Sequence, residues 1–160
     1  MGPVEYCKTS FGDVGNGYQY GLWIMDGMPG KACMTVKGID ATFKMVWDIG
    51  SYGFVGRVGL AFDETKTIDQ LGGKLISDFA FTKSGDGACY IGIYGWTVDP
   101  VMEFYVIEDW ITWHPTFPEK KGTITVDGGQ YDVYTALQEN KDSIKGIQTF
   151  RQWYSVRQVG

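Results

Sequence analysis

Hydrophobic residues in this chain fall in short runs that are separated by turn-forming clusters. Each run is rich in aromatic and β-branched side chains, which fit the pleated surface of a strand. The runs are 18–25, 41–47, 52–60, 76–82, 89–96, 101–107, 123–126, 130–134 and 149–157. Short strands at such spacing are typical of a β-sandwich or jelly roll, so the pattern predicts an all-β fold.

Turn signals lie between these runs. Residues 26–30 and 84–87 are rich in Gly, Asp, Pro and Ser, and Asp127-Gly128-Gly129 is a strong hairpin signal because Asp-Gly readily adopts positive φ. Residues 136–141 are an exception, since their composition also suits a short helix. These residues could therefore form either a helical turn or a projecting hairpin.

The run 101–107 places polar and apolar side chains on opposite faces. Side chains alternate along a strand, so Glu103 and Tyr105 share one face and the apolar residues at 102, 104 and 106 share the other. Glu108 stands an odd number of residues from Glu103, so it projects from the opposite face. This strand therefore does not supply a pair of adjacent carboxylates.

The preceding run adds two aromatic side chains to one face, those of Tyr94 and Trp96. A carboxylate among tyrosine and tryptophan side chains is typical of a sugar-binding cleft, because pyranose rings stack on aromatic faces. Aromatic side chains on strands are more often core, and a strand glutamate is more often solvated. The pattern alone leaves both interpretations open.

Composition limits the class of partner. The 160 residues suit one domain with its own core, and 23 glycines with 16% aromatic residues fit many short strands. A net charge of -5 with scattered Lys and Arg argues against nucleic acid or an anionic membrane. No apolar stretch reaches the ~20 residues of a membrane span, and no signal peptide is recognised.

The three cysteines, Cys7, Cys33 and Cys89, match no zinc or redox motif. An odd count permits one disulfide at most, so at least one thiol stays free. We expect no obligatory bridge, and we expect neither a metal nor a cofactor.

Several stretches resemble glycoside hydrolase family 11 xylanases of the rumen bacterial and anaerobic fungal type. Tyr94-Gly95-Trp96-Thr97, Pro100 and Glu103-Phe104-Tyr105-Val106-Ile107-Glu108 are similar to the nucleophile strand of that family. Further similar stretches follow the family's order at 17–23, 53–67, 128–134 and 149–157. The resemblance covers nearly the whole chain.

By this resemblance, residues 1–160 are a single xylanase-like domain. Its expected fold is a jelly-roll sandwich of two bent antiparallel sheets forming a cleft, without the family's C-terminal helix and last strands. The expected reaction is retaining endo-hydrolysis of β-1,4-linked xylose. That reaction needs a carboxylate nucleophile and a carboxylic acid about 5–5.5 Å apart.

The resemblance also assigns residues. Glu103 matches the nucleophile, Tyr94 and Tyr105 match tyrosines that hold it, and residues 137–149 fall where the family has its projecting hairpin, the thumb. The residues expected to bind substrate are Trp23, Tyr94, Trp96, Tyr105, Gln138, Ser143, Ile144 and Gln152. Trp23 matches a stacking platform for xylose, and Gln152 matches a polar residue of the cleft.

Departures from the family pattern concern the acid and its surroundings. No acidic residue matches the general acid, so we expect a domain that is incomplete at its C-terminus. Loss of that acid should lower the rate of hydrolysis by a factor of ~10²–10⁴. Gly53 stands where the family has Asn or Asp, and Asp142 replaces the thumb proline. Val98 and Gln138 replace arginines near the cleft.

The main expectation is therefore a secreted, monomeric endo-xylanase acting on xylan or xylo-oligosaccharides. One alternative is a non-catalytic xylan-binding jelly roll that kept the aromatic cleft. A second is an incompletely folding fragment whose open sheet edge pairs with another chain.

Overall fold

The computed structural model describes residues 2–50 and 53–158. All regular structure within these residues is β-strand, so the all-β prediction is confirmed. The described part of the chain has no helix long and apolar enough to cross a membrane. The chain divides into two compact units, Met1–Asp63 and Glu64–Gly160, and each is described by itself.

The first unit contains two three-stranded antiparallel sheets. Their strands are β1 (Val4–Tyr6), β2 (Ser10–Gly15), β3 (Tyr18–Ile24), β4 (Gly30–Val36), β5 (Phe43–Ile49) and β6 (Phe54–Leu60). One sheet has the order β1-β4-β5 and the other β2-β3-β6. Leu22 of β3 packs with Met34 and Val36 of β4, so side chains from both sheets share one buried cluster.

A disulfide joins Cys7 to Cys33 and corrects the expectation that no obligatory bridge exists. Its origin is the register of β1 on β4, in which Tyr6 lies opposite Met34. Continuing that register by one residue brings Cys7 opposite Cys33. Cys89 is the free thiol, as the odd count requires.

The second unit contains one five-stranded sheet. Its strands are β7 (Cys89–Val98), β8 (Val101–Ile111), β9 (Glu119–Val126), β10 (Gly129–Ser143) and β11 (Gly146–Arg157). The order is β7-β8-β11-β10-β9, and β11 runs parallel to β8 while the other neighbours are antiparallel. The central strands are thus β8, β11 and β10.

Tyrosine and aliphatic side chains form the buried cluster on one face of this sheet. The cluster comprises Tyr105, Ile107, Tyr134, Tyr154 and Val156. Period-two alternation puts Tyr105 and Ile107 of β8 on the same face, and the register sets them beside Tyr154 and Val156 of β11.

Both predicted hairpins are present. Asp127 and Gly128 have φ of 48° and 77° and connect β9 to β10, with Val126 paired to Gly129. Residues 137–149 form the hairpin of β10 and β11, whose register continues from Leu137↔Arg151 to Ser143↔Gly146. Residues 136–141 therefore belong to β10 and not to a helix, with a register shift between Gln138 and Lys141 and a positive φ of 51° at Asn140.

Other strand predictions need correction. Residues 76–82 are not a strand, and Ile76 is 74% exposed, because strand-forming composition needs a paired neighbour. The strands β1, β2 and β4 were not predicted, and in β4 the β-branched residues are confined to its last two positions, Thr35 and Val36. The predicted strand start at Tyr52 lies outside the described residues.

The described strands form three hydrogen-bonded sheets, where two were predicted. Alternation of side chains shows which residues share a face, but it does not show which strands are hydrogen-bonded to one another. The number of sheets therefore could not be read from the pattern of the runs.

Replacement of Cys7 by serine tests the bridge. The disulfide closes a loop with a sequence separation of 26, so Cys7→Ser should lower the free energy of unfolding by ~3 kcal/mol. Denaturant unfolding with and without a reducing agent measures this loss. Cys89→Ser is the control and should keep its sensitivity to reductant, whereas a Cys7→Ser protein as stable as the parent would contradict the prediction.

The carboxylate of Asp132 predicts a pH dependence of stability. Hydrogen bonds from Lys120, Gln158 and Thr123 lower the pKa of Asp132 to about 2. A lowered pKa stabilises the folded state above the ordinary carboxyl pKa of ~4, and this contribution is lost as pH falls from about 4 towards about 2. In the Asp132→Asn variant, the free energy of unfolding should fall less steeply between about pH 4 and about pH 2 than in the parent. Asp142→Asn, at an exposed position of β10, should leave that slope unchanged.

Candidate active site

Glu103 is the third residue of β8, which lies between β7 and β11. The register sets Trp96 of β7 on one side of it and Gln152 of β11 on the other. Its side chain is 7% exposed, and Tyr105 on the same face is 9% exposed. The sequence predicted this shared face, and the structure adds that it is the more buried face, since the apolar residues at 102, 104 and 106 are only half-buried.

Two hydrogen bonds hold the Glu103 carboxylate. The Tyr94 hydroxyl donates to Oε2 at 2.7 Å, and the Gln152 Nε2 group donates to Oε1 at 2.6 Å. The Trp96 indole Nε1 donates to the Tyr94 hydroxyl oxygen at 2.8 Å, which orients that phenol toward the carboxylate. Both carboxylate oxygens thus have a donor from a neighbouring strand.

Gln152 is itself held from its other side. Its Oε1 accepts a hydrogen bond from Gln138 Nε2 at 2.8 Å and another from the Tyr154 hydroxyl at 2.8 Å. Gln138 was predicted as a substrate contact, and the structure places it in direct contact with Gln152.

Aromatic rings pack beside the carboxylate. The Tyr105 ring stacks on Tyr154, with centroids 4.7 Å apart, and lies 5.0 Å from the Tyr94 ring. The Trp96 ring lies 5.0 Å from the buried Phe150 ring. Tyr105 thus contributes its ring to the site, while the described hydrogen bonds to Glu103 come from Tyr94 and Gln152.

Burial and the Glu103 charge keep the neighbouring phenols protonated. Burial raises the pKa of Tyr90 to about 12, with a smaller contribution from the negative charge of Glu103. The pKa of Tyr105 is raised strongly, first by burial and then by the same charge. The pKa of Tyr154 is raised mainly by burial. At neutral pH these groups are neutral phenols, so Tyr154 can donate to Gln152.

Glu108 belongs to a different cluster. It accepts hydrogen bonds from the Tyr131 hydroxyl at 2.8 Å and from Arg157 at 2.9 Å. This separate set of partners agrees with the strand parity that assigned Glu108 to the face opposite Glu103.

Three predicted residues have no described hydrogen bond or ring contact with Glu103 or its partners. Trp23 is half-buried on β3 of the first unit, opposite Val55. Ser143 is at the tip of the β10–β11 hairpin and donates to the Gly146 carbonyl at 2.6 Å, and the adjacent Ile144 is 44% exposed. Gly146 and Gln152 are six residues apart on β11, which corresponds to a strand path of ~20 Å between the tip and the carboxylate.

The hairpin tip has a contact of its own. Lys145 Nζ lies 2.8 Å from Glu64 Oε1, and both side chains are exposed. Such a surface ion pair contributes on the order of 0–1 kcal/mol, so it can restrain the tip only weakly.

Sequence reasoning missed Tyr154 and Phe150 as members of the site. Both stand two residues from Gln152 on β11, so alternation alone would have placed them on the same face of the sheet as Gln152. Phe117 stacks on Tyr154 with ring centroids 3.7 Å apart. It comes from the loop before β9, where strand alternation does not apply and could not have indicated it.

Among the described residues, Glu5, Cys7 and Cys33 form the one group whose ligand atoms lie close enough together for a metal. The two sulfur atoms are joined in the disulfide, so they are not available as thiolate ligands. The Glu103 site instead offers an oriented, hydrogen-bonded carboxylate, which can act chemically as a nucleophile or as a base.

Comparisons with known proteins identify the family. The model of glycosyl hydrolases family 11 matches residues 15–160. Endo-1,4-beta-xylanase A of Bacillus pumilus is 41% identical over 160 residues, covering 98% of this chain and 67% of that protein. The bifunctional xylanase/deacetylase of Pseudobutyrivibrio xylanivorans is 41% identical over 143 residues, covering 89% of this chain. The chain spans only 23% of the length of the Pseudobutyrivibrio protein.

A solved structure supports the fold. The crystal structure of wild-type ENZbleach xylanase is 28% identical with a TM-score of 0.70, covering 99% of this chain and 68% of that one. The predicted jelly-roll class is confirmed by this likeness.

The contrast between Tyr94 and Tyr105 gives a test of the site. Tyr94→Phe removes a donor from a buried carboxylate and should lower the free energy of unfolding by about 1–3 kcal/mol. Tyr105→Phe keeps the stacked ring and leaves both described hydrogen bonds to Glu103, so its loss should be clearly smaller than that of Tyr94→Phe. Denaturant unfolding of both variants measures the difference, and equal losses would contradict the described hydrogen bonding.

Proposed function

This chain belongs to glycosyl hydrolase family 11, and we propose that it hydrolyses internal β-1,4-xylosidic bonds of xylan with retention of configuration. The observation that carries the proposal is the buried Glu103 carboxylate, held by Tyr94 and Gln152 on a face rich in aromatic rings. The names of the relatives support the same reaction, since they are xylanases.

Glu103 is the proposed nucleophile. One carboxylate oxygen forms a bond to the anomeric carbon while the bond from that carbon to the leaving oxygen breaks, giving a covalent glycosyl-enzyme that water then hydrolyses. The departing oxygen takes its proton from a second carboxyl group, to which we assign no residue of this chain. Donors from Tyr94 and Gln152 fix the direction of Glu103 and so reduce the freedom lost on reaching the transition state.

The aromatic side chains are the proposed sugar platform. Trp96 and Tyr94 lie on the Glu103 face and are half-buried, which leaves part of each ring accessible to a pyranose. We propose that Trp23 stacks on a xylose ring and that Ser143 and Ile144 contact the polysaccharide from the hairpin tip. The exposed apolar side chain of Ile144 fits such a contact.

We also propose that the protein works outside the cell. The Cys7–Cys33 disulfide supports this proposal, because disulfides form and persist in oxidising surroundings and are rare in cytosolic proteins. A polymeric substrate that cannot enter cells is consistent with the same location.

A fluorinated substrate analogue tests the nucleophile by itself. In 2,4-dinitrophenyl 2-deoxy-2-fluoro-β-xylobioside, the dinitrophenolate departs with the bonding electron pair and needs no proton, so no general acid is required. We expect the chain to gain the mass of one fluoroxylobiosyl group, located by peptide mass spectrometry on the peptide that contains Glu103. Glu103→Gln should not be labelled.

Glu139→Gln is the matched control, because it makes the same change at an exposed position of β10. This variant should be labelled at the parent rate. Labelling of another residue, or equal labelling of Glu103→Gln, would refute the assignment. A protein that is retarded in a xylan-containing gel yet never labelled would instead be a non-catalytic binding domain.

A further inference from the structure

We propose that Gln138 and Tyr154 are positioning residues that fix the side-chain amide of Gln152 in one orientation and thereby keep its Nε2 group on Glu103. The proposal rests on the proposed function, in which Glu103 is the nucleophile. In this proposal Tyr154 and Gln138 act by donating hydrogen bonds to Gln152, and Gln138 is not a direct substrate contact.

The carboxylate determines which end of the Gln152 amide can face it. An ionised carboxylate only accepts hydrogen bonds, whereas a glutamine amide has a donor end and an acceptor end. Gln152 must therefore present Nε2 to Glu103, as it does at 2.6 Å. The opposite orientation would bring two oxygen atoms together at a side chain that is only 7% exposed.

The far end of the amide is fixed by two donors. With Nε2 on Glu103, the Gln152 Oε1 atom faces Gln138 Nε2 and the Tyr154 hydroxyl, each at 2.8 Å. Rotating the amide by half a turn would break the bond to Glu103, and the Gln138 amide and the Tyr154 hydroxyl would both have to turn in order to accept from Nε2. Three hydrogen bonds thus favour the same orientation.

Both donors are held by the sheet. The Tyr154 ring lies against Tyr105 and Phe117, with centroids 4.7 and 3.7 Å away, and is 6% exposed. Gln138 pairs with Phe150 in the β10–β11 register, which makes it a diagonal neighbour of Gln152 on the same face. Ring packing therefore restrains the Tyr154 hydroxyl, and the register keeps the Gln138 side chain next to Gln152.

Gln138→Glu is the sharpest test, because it keeps the shape of the side chain and replaces a donor by an acceptor. The new carboxylate would attract the Nε2 group of Gln152 and turn its Oε1 toward Glu103. Labelling by the fluoroxylobioside should slow about tenfold or more. Gln130→Glu makes the same change at an exposed position of the same strand and should leave the labelling rate unchanged.

Two milder variants separate positioning from folding. Gln138→Met and Tyr154→Phe each remove one donor and keep most of the packing, so each should slow labelling by a few-fold. The double variant should slow it by more than the product of the two single effects, because the amide then loses both restraints. Thermal unfolding midpoints identify any variant whose slowing reflects loss of fold.

The side-chain ¹⁵N–¹H resonances of Gln152 provide a readout that does not depend on catalysis. Hydrogen exchange of these amide protons should be slow in the parent protein and faster in Gln138→Glu. Unchanged exchange together with parent-like labelling in Gln138→Glu would overturn the proposal. Failure of the parent itself to be labelled would refute the proposed function, while a changed Gln152 resonance in Gln138→Glu would still support the positioning.

Discussion

The parallel hydrogen-bond ladder between β8 and β11 sets Gln152 beside Glu103 and Tyr154 beside Tyr105. Side chains in a strand alternate between faces, so a slip of one residue in this ladder would carry Gln152 and Tyr154 to the other face. The carboxylate would then lose a donor, and the stacked tyrosine pair would separate. The site and the buried aromatic cluster therefore depend on one register.

Burial of a charged group requires that its hydrogen bonds be made inside the protein, since removing one leaves a costly unsatisfied oxygen. Around Glu103 this requirement extends outward in steps. Tyr94 and Gln152 contact the carboxylate, Trp96 orients Tyr94, and Gln138 with Tyr154 orients Gln152. Each donor comes from a strand of the five-stranded sheet, which is a more rigid support than loops provide.

The aromatic side chains in this unit serve both packing and chemistry. Tyr154 is a core residue by burial and a hydrogen-bond donor by its hydroxyl. Burial raises the pKa of this phenol and so preserves the proton that it donates. A residue of this kind cannot be assigned to core or site alone, and Tyr→Phe substitution, which keeps the ring, is the way to separate the two contributions.

Local patterns in the sequence determined which residues share a face and where the chain turns. Alternation placed Glu103 with Tyr105 and sent Glu108 to the other side, and Asp127-Gly128 predicted a hairpin because its backbone favours positive φ. These predictions succeeded because each depends on residues that are adjacent in the chain. The extent of a strand is less local, as residues 76–82 show, because a strand also needs a partner.

Only the tertiary structure decided which distant residues meet. Gln152 contacts Glu103 across 49 positions of sequence, and Cys7 meets Cys33 across 26, in each case through the register of paired strands. No local preference specifies that register, because it is the joint result of backbone pairing and of packing over the whole sheet. For the same reason the orientation of the Gln152 amide could be assigned only once its neighbours Gln138 and Tyr154 were in place.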